Sequence, residues 1–254
     1  MPPAWPLACV RLLGLVVAGQ LHASAGLAQD DPDIPTVAYP TLPVTGTSAG
    51  DFAPAGWVVE AQAEGDLNKD GLADVAFVLR DTSAANVIDN AEGLGVPSLD
   101  TNPRILCIGF KDAAAGSYRL VLRNHTLIPR TESATVDDAF DKDGGLTVAR
   151  GAVSIELNFF ASAGSWETSD TKLTFRYGHG HFRLIGLERS TAQRNSGEMT
   201  RLSVNYSTRR AEIYTGTIES DAEKLKVLWL PSRPLPTIEE VGNGIEFEPI
   251  DRVR

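Results

Sequence analysis

The fold is decided by the stretch Glu64-Gly-Asp-Leu-Asn-Lys-Asp-Gly-Leu-Ala-Asp74, a polar segment that separates two apolar runs. The runs, residues 57–63 and 75–79, contain valine, alanine and aromatic residues and show no helical repeat. Apolar runs of this length on either side of turn-forming residues predict two antiparallel strands. The sequence therefore predicts a β-protein whose first hairpin carries this polar loop.

The loop places oxygen-bearing groups at alternating positions. Side-chain oxygens come from Asp66, Asn68, Asp70 and Asp74, and the main-chain carbonyl of Leu72 falls between the last two. Alternate residues of a tight turn point inward, so this set could offer the six or more oxygens that Ca²⁺ takes. Zinc would require Cys or His, and the loop has neither. The spacing therefore predicts a calcium site.

The loop differs from an EF-hand, because the position of the bidentate Glu is occupied by Phe77 and the flanking runs are strand-like. Instead, Gly65-Asp-Leu-Asn-Lys-Asp-Gly-Leu-Ala-Asp-Val75 resembles the FG-GAP or VCBS-type loop of integrin-like β-propeller blades. Further along the chain, Phe182-Arg-Leu-Ile-Gly186 and Ser203-Val-Asn-Tyr206 resemble segments of uncharacterised secreted bacterial proteins that also carry one such loop. The resemblance implies that the calcium ligands are Asp66, Asn68, Asp70, the Leu72 carbonyl and Asp74.

The resemblance covers one loop in a single copy, whereas a propeller needs at least about four blades. It therefore implies the loop and not the propeller. The alternative is an Asp- and Asn-rich turn whose side chains only hydrogen-bond their own backbone.

Composition and the N-terminal region indicate an exported protein. Of the 254 residues, 43% are hydrophobic and 22% charged, which is typical of a globular protein. Arg11 precedes an apolar run, and small residues follow up to Ala28, so residues 1–28 are expected to be a secretory signal. The mature chain is then secreted or periplasmic, with no transmembrane segment. The formal net charge of −10 makes nucleic acid a poor partner.

Residues 29–56 are rich in proline, which predicts an extended or disordered leader before a single β-domain at 57–250. The leader contains Gly46-Thr-Ser-Ala-Gly50, which matches the G-x-S-x-G string of α/β-hydrolases. That site needs a strand before the serine and a helix after it, and the surrounding prolines argue against both. We interpret the string as a chance match.

The rest of the chain predicts an all-β fold, an antiparallel meander of hairpins that forms a sandwich or a partly closed barrel. Residues 104–110 and 118–122 form one predicted hairpin, and residues 81–103 form a long loop. Further strand pairs turn at Gly151, at Gly180 and within residues 207–210. Residues 226–230 are a further predicted strand, Thr237 begins a short capped helix, and residues 244–249 are a predicted edge strand.

Other candidate residues carry weaker signals. The acidic segment 137–145 is interpreted as a turn, and His179 and His181 as incidental residues of a hairpin tip. His125 has no visible catalytic partner. Cys107 lies in an apolar run, so a buried inert thiol is expected. Trp57 and Trp229 are expected in the core, and Trp166, in a flexible bend, is the candidate for a binding surface.

These observations predict an exported, calcium-binding β-protein that acts as a non-catalytic binding or envelope-associated module. Its partner would be a protein or a glycan, and no catalytic residue is assigned. The alternative is a periplasmic or extracellular hydrolase that uses acidic residues on the meander face, with calcium only structural.

Overall fold

The structure is a computed structural model that describes residues 33–141 and 143–249, so the predicted signal segment lies outside the described residues. The described residues form fourteen strands and one α-helix. In chain order these are β1 (Thr45–Gly46), β2 (Trp57–Gly65), β3 (Asp74–Asp81), β4 (Val87–Asp89), β5 (Ser98–Asp100), β6 (Arg104–Asp112), β7 (Ser117–Asn124), β8 (Leu146–Ala149), β9 (Ala152–Phe160), β10 (Glu167–Gly178), β11 (His181–Gln193), β12 (Glu198–Asn205), β13 (Arg210–Thr217), β14 (Ser220–Trp229) and α1 (Ile238–Val241).

The strands form two main antiparallel sheets. The first sheet has the order β1-β7-β6-β3-β2, and the second is a seven-stranded meander from β8 to β14. Strands β4 and β5 form a small separate hairpin within the long loop predicted at 81–103. The all-β prediction of antiparallel hairpins is confirmed, and neither sheet closes into a barrel.

The main hydrophobic core contains residues of both sheets. Val78 and Ile108 of the first sheet belong to the same buried cluster as Ile155, Leu173 and Leu187 of the second. Along β9, β10 and β11 the apolar side chains alternate with polar ones, so one face of the second sheet is buried and the other is solvated. The two sheets therefore pack as a sandwich.

A second core covers the opposite face of the first sheet. Leu42 and Phe52 pack there against Phe77 and Cys107, and the rings of Phe52 and Phe77 lie 5.4 Å apart. Strand β3 is therefore buried on both faces, which explains its continuous apolar run. Leu42, Ala49 and Phe52, from the segment predicted to be an extended or disordered leader, belong to this second core. The many prolines of this segment concealed its few anchoring apolar residues.

Two hairpins turn in two residues, as the glycines at 151 and 180 predicted. Arg150 and Gly151 have φ values of 53° and 69°, and His179 and Gly180 have 54° and 83°. Two successive residues with positive φ are typical of the type I′ turn, whose twist matches that of the flanking strands. His179 and His181 therefore lie at the tip of the β10–β11 hairpin, as expected.

The second sheet is wider than the first, and its last strand is exposed on both faces. Trp229, at the end of β14, is 70% exposed. The prediction of Trp229 as a core residue is therefore wrong, because an apolar run on an edge strand need not be covered. Trp57 is half-buried and packs against the second core, so its prediction as a core residue holds in part.

The C-terminal region contains the predicted capped helix. The Thr237 hydroxyl accepts a hydrogen bond from the Glu240 N–H, and the Glu240 carboxylate accepts one from the Thr237 N–H. Residues 244–249 form a turn and not the predicted edge strand. The guanidinium of Arg189 donates to the carbonyls of Ile245 and Phe247, so a side chain replaces the partner strand. No helix among the described residues is long and apolar enough to cross a membrane.

Candidate functional site at the β2–β3 loop

The predicted calcium loop joins β2 to β3, and the strands pair as far as Gly65 and Asp74. Within the loop, Lys69 and Gly71 have φ values of 69° and 87°, so the chain bends sharply where the glycine predicted it. Leu67 is fully buried and belongs to the core shared by the two sheets. The hairpin prediction is therefore confirmed, and the loop is fixed to the core by one apolar side chain.

The loop begins where the two sheets touch. A Cβ added at Gly65 would lie 2.7 Å from Cγ1 of Val148 on β8, which is closer than real Cβ contacts. Only glycine allows this approach without a shift of the side chain. Strand β8 therefore packs directly against the base of the loop.

The carboxylate of Asp66 holds the first turn of the loop. Its two oxygens accept hydrogen bonds from the N–H groups of Lys69, at 2.6 Å, and Gly71, at 3.0 Å. The loop therefore curls around the side chain of its first oxygen donor.

Asn68 and Asp70 lie side by side. The Asn68 amide donates to Asp70 at 2.8 Å, and the other Asp70 oxygen accepts from the Leu72 N–H at 2.8 Å. These three residues border one shallow depression of about 280 Å³. Asp112, the last residue of β6, borders the same depression, as do Lys111 and Arg119, and no local pattern in the sequence indicated this proximity.

Asp74 occupies a different environment, because its side chain is fully buried. One oxygen accepts from the N–H groups of Leu67 and Asn68, and the other accepts from the N–H of Lys111 at 2.9 Å. Burial raises the pKa of the Asp74 carboxyl, the three N–H groups oppose this shift, and the charge of Asp70 adds to it. Asp74 therefore ties the end of the loop to β6.

The structure thus brings Asn68, Asp70 and Leu72 to one depression, while Asp66 and Asp74 bind backbone N–H groups on either side of it. Three carboxylates and one amide are hard oxygen donors, which is the chemistry that Ca²⁺ prefers. Among the described residues, no group of three or more His, Cys, Asp or Glu side chains could hold a metal ion as placed. The loop side chains hydrogen-bond the loop's own backbone, as they would in a turn that binds no metal. The calcium site therefore stays a prediction.

The structure also locates the candidate residues for which the sequence signal was weaker. Ser48 lies before a 3₁₀-helix of residues Ala49–Phe52, and its N–H and that of Thr47 bind the Asp51 carboxylate. The G-x-S-x-G string therefore lacks the helix of a hydrolase nucleophile. His125 stacks on Tyr39 with ring centroids 4.2 Å apart. In the second acidic segment, Asp143 and Gly144 lie in a turn.

Cys107 is fully buried on β6, and burial raises the pKa of its thiol to about 12. Because the thiolate is the nucleophile, this cysteine is unreactive at neutral pH. The prediction of a buried, inert thiol is confirmed for the folded protein.

Sequence reasoning missed a buried ion-pair network. The Arg104 side chain is 3% exposed, and its guanidinium donates bidentate hydrogen bonds to the carboxylates of both Glu60 and Asp138. These partners lie 44 and 34 residues away, so no local pattern could have revealed them. The network ties the acidic segment after β7 to the first sheet.

The outer face of the second sheet carries the acidic residues of the alternative prediction. Glu156, Asp170 and Glu188 border a shallow depression of about 300 Å³, and Lys172 pairs with Glu156 at 2.6 Å. At the nearby bend, Trp166 is 62% exposed, so it does lie on the surface as expected.

Comparison of the chain with protein-family models, with curated proteins and with solved structures finds no match.

Proposed function

We propose that the protein is an exported binding module whose β2–β3 loop takes up one structural calcium ion. The observation that carries the proposal is the placement of the loop. Four oxygen-bearing side chains lie on a turn whose two ends are fixed, by Leu67 in the core and by Asp74, whose carboxylate accepts from the Lys111 N–H on β6. A loop with fixed ends loses little conformational freedom when it binds an ion.

The residues that would hold the ion are Asp66, Asn68, Asp70, the Leu72 carbonyl and Asp74. Bound calcium would supply two positive charges among three carboxylates that otherwise repel one another. Burial is the main cause of the raised pKa of Asp74, and the charge of Asp70 adds to it in the direction expected of neighbouring carboxylates. Asn68 and Asp70 would exchange their mutual hydrogen bond for contacts with the ion.

Because β2, β3, β8 and the start of the loop meet at Gly65, an ion in the loop would stabilise the junction of the two sheets. At about 100 times its dissociation constant, a ligand that binds only the folded state stabilises it by about 2.7 kcal/mol. Calcium is therefore proposed as a staple, in a mature chain that has one cysteine and no internal disulfide.

Thermal melting tests the proposal. We expect excess calcium to raise the midpoint relative to chelator, and Asp70→Ala to abolish the shift. Asp141→Ala, which removes one carboxylate from the second acidic segment, should leave the shift unchanged. Equal midpoints with calcium and with chelator would reject calcium as a staple.

The second candidate function is a hydrolase, and the acid-lined depression of Glu156, Asp170 and Glu188 is the observation in its favour. A panel of glycoside and ester substrates tests it. If the wild type turns over a substrate and Glu188→Gln loses this activity while its melting midpoint is unchanged, the protein is an enzyme and the binding-module proposal is rejected.

A further inference from the structure

Strand β14 is an open edge of the second sheet. It spans ten residues, about 33 Å of extended chain, and β13 is its one neighbour among the described strands. Alternate N–H and C=O groups along such a strand point away from the sheet and can pair with another strand. The edge is therefore long enough to accept an added strand.

The two faces of β14 differ in chemistry. Leu225, Val227 and Trp229 lie on one face and are 52%, 37% and 70% exposed. Lys224 and Lys226 alternate with them and therefore lie on the other face. The edge thus presents three apolar side chains and Glu223 on one side, and on the other side two positive charges followed by Leu228, which is half-buried against the main core.

The two lysines have no acidic partner in the described part of the chain, where none of the ion pairs includes either of them. The β13 residues opposite them are Thr215 and Ile213. Glu223, on the apolar face, already binds Arg201 at 2.5 Å. The protein has a net charge of −10, so Lys224 and Lys226 form a local positive site that is complementary to an acidic partner.

A second copy of β14 does not supply that partner. Residues directly opposite each other in an antiparallel pair share one face of the sheet. The stretch of β14 that pairs regularly with β13, residues 224–229, contains no acid, and Glu223 binds Arg201. Antiparallel pairing of this stretch with its own copy therefore brings no acid opposite Lys224 or Lys226. The complementary strand must therefore have a different sequence.

We propose that β14 accepts an extended peptide segment as an eighth strand of the second sheet. The segment has acidic residues at alternate positions, which face Lys224 and Lys226, and apolar residues between them, which pack beside Leu225, Val227 and Trp229. This inference rests on the binding role proposed above and is independent of calcium.

The test is a fluorescence anisotropy titration with a labelled heptapeptide that alternates glutamate with valine and phenylalanine. A second peptide has lysine in place of glutamate, and a third has a central proline, which cannot donate to a strand. We expect saturable binding of the acidic peptide and at least fivefold weaker binding of the other two, roughly what two cross-strand charge pairs supply.

The variant K224E/K226E should weaken binding of the acidic peptide about tenfold and strengthen binding of the basic one. R119E/R123E changes the net charge equally on β7, where both arginines are exposed, and should bind the acidic peptide like the wild type. Circular dichroism confirms that both variants fold.

Equal affinity for acidic and basic peptides, or no saturable binding, would overturn the proposal. So would concentration-dependent dimerisation that the K224E/K226E variant abolishes, because β14 would then bind its own copy. Each titration is run with calcium and with chelator. Peptide binding that persists in chelator supports the edge site even if melting shows no calcium effect.

Discussion

The interior of the first sheet and the last strands of the second sheet are built from the same antiparallel hairpins but differ in what covers them. Strand β3 has a core on each face, whereas β14 is exposed at every residue except Leu228, which is half-buried. Charge follows the same division. The buried Arg104 of the first sheet binds Glu60 of that sheet and the partly exposed Asp138 of the segment after β7, whereas Arg201 pairs with Glu223 on the surface of the second sheet. The comparison teaches that the buried contacts, and with them the loop that we propose to bind calcium, belong to the covered region, whereas the edge that we propose to bind a peptide belongs to the open one.

The reactivity of cysteine should show the largest difference between the two regions. With Cys107 buried and its pKa raised to about 12, reaction with a thiol reagent at pH 8 requires unfolding. A cysteine introduced by Val227→Cys, in a Cys107→Ser background, should react at least about a thousandfold faster, since global unfolding costs several kcal/mol.

The sign of the pH effect follows from the raised pKa. The folded state keeps the Cys107 proton that the unfolded state loses near pH 9, so this group stabilises the fold below about pH 9 and its contribution falls as pH approaches 12. Rapid labelling of Cys107 under native conditions at pH 8 would show that β6 is not covered as described.

The loss of unfolding free energy on removing one arginine should also differ between the two regions. Arg104→Met removes the guanidinium that Glu60 and Asp138 share. Because Arg80 still lies 3.6 Å from Glu60 and Asp138 is partly exposed, the loss should be about 3 kcal/mol of unfolding free energy in urea titrations. Arg201→Met removes the exposed pair with Glu223 and should cost less than about 1 kcal/mol. Similar losses for both variants would contradict the difference in burial.

Truncation of one leucine in each region gives a smaller contrast. Leu67→Ala opens a cavity where the loop enters the core and should cost about 3 kcal/mol. Leu225→Ala, on exposed β14, should change the unfolding free energy by less than about 0.5 kcal/mol. If Leu67→Ala proved as mild as Leu225→Ala, the loop would not be anchored to the core.

Local patterns predicted much of the fold. The turns at Gly151 and Gly180 and the cap at Thr237 depend on nearby residues, and each lies where the sequence placed it. Trp229 and residues 244–249 were mispredicted because their surroundings depend on distant elements. The first sheet does not cover β14, and Arg189 binds the carbonyls that a strand partner would have taken.

The local geometry of the β2–β3 loop was also predicted from nearby residues, whereas calcium binding there stays a prediction. The alternation of Asp66, Asn68 and Asp70 gave the loop and its turn, because these residues interact within a few positions of one another. The anchors were missed, since Asp74 reaches Lys111 across 37 residues. Leu67, one apolar residue at the start of a polar loop, was the available signal that the loop is fixed to the core.

Equilibrium dialysis against radioactive calcium tests the central claim that the β2–β3 loop binds one calcium ion. We predict one bound ion per wild-type chain, one for D221A/E223A, which removes two acids from β14, and none for D66A/D70A. Wild-type protein that retains no more calcium than D66A/D70A would contradict the claim and leave the loop a self-satisfied turn.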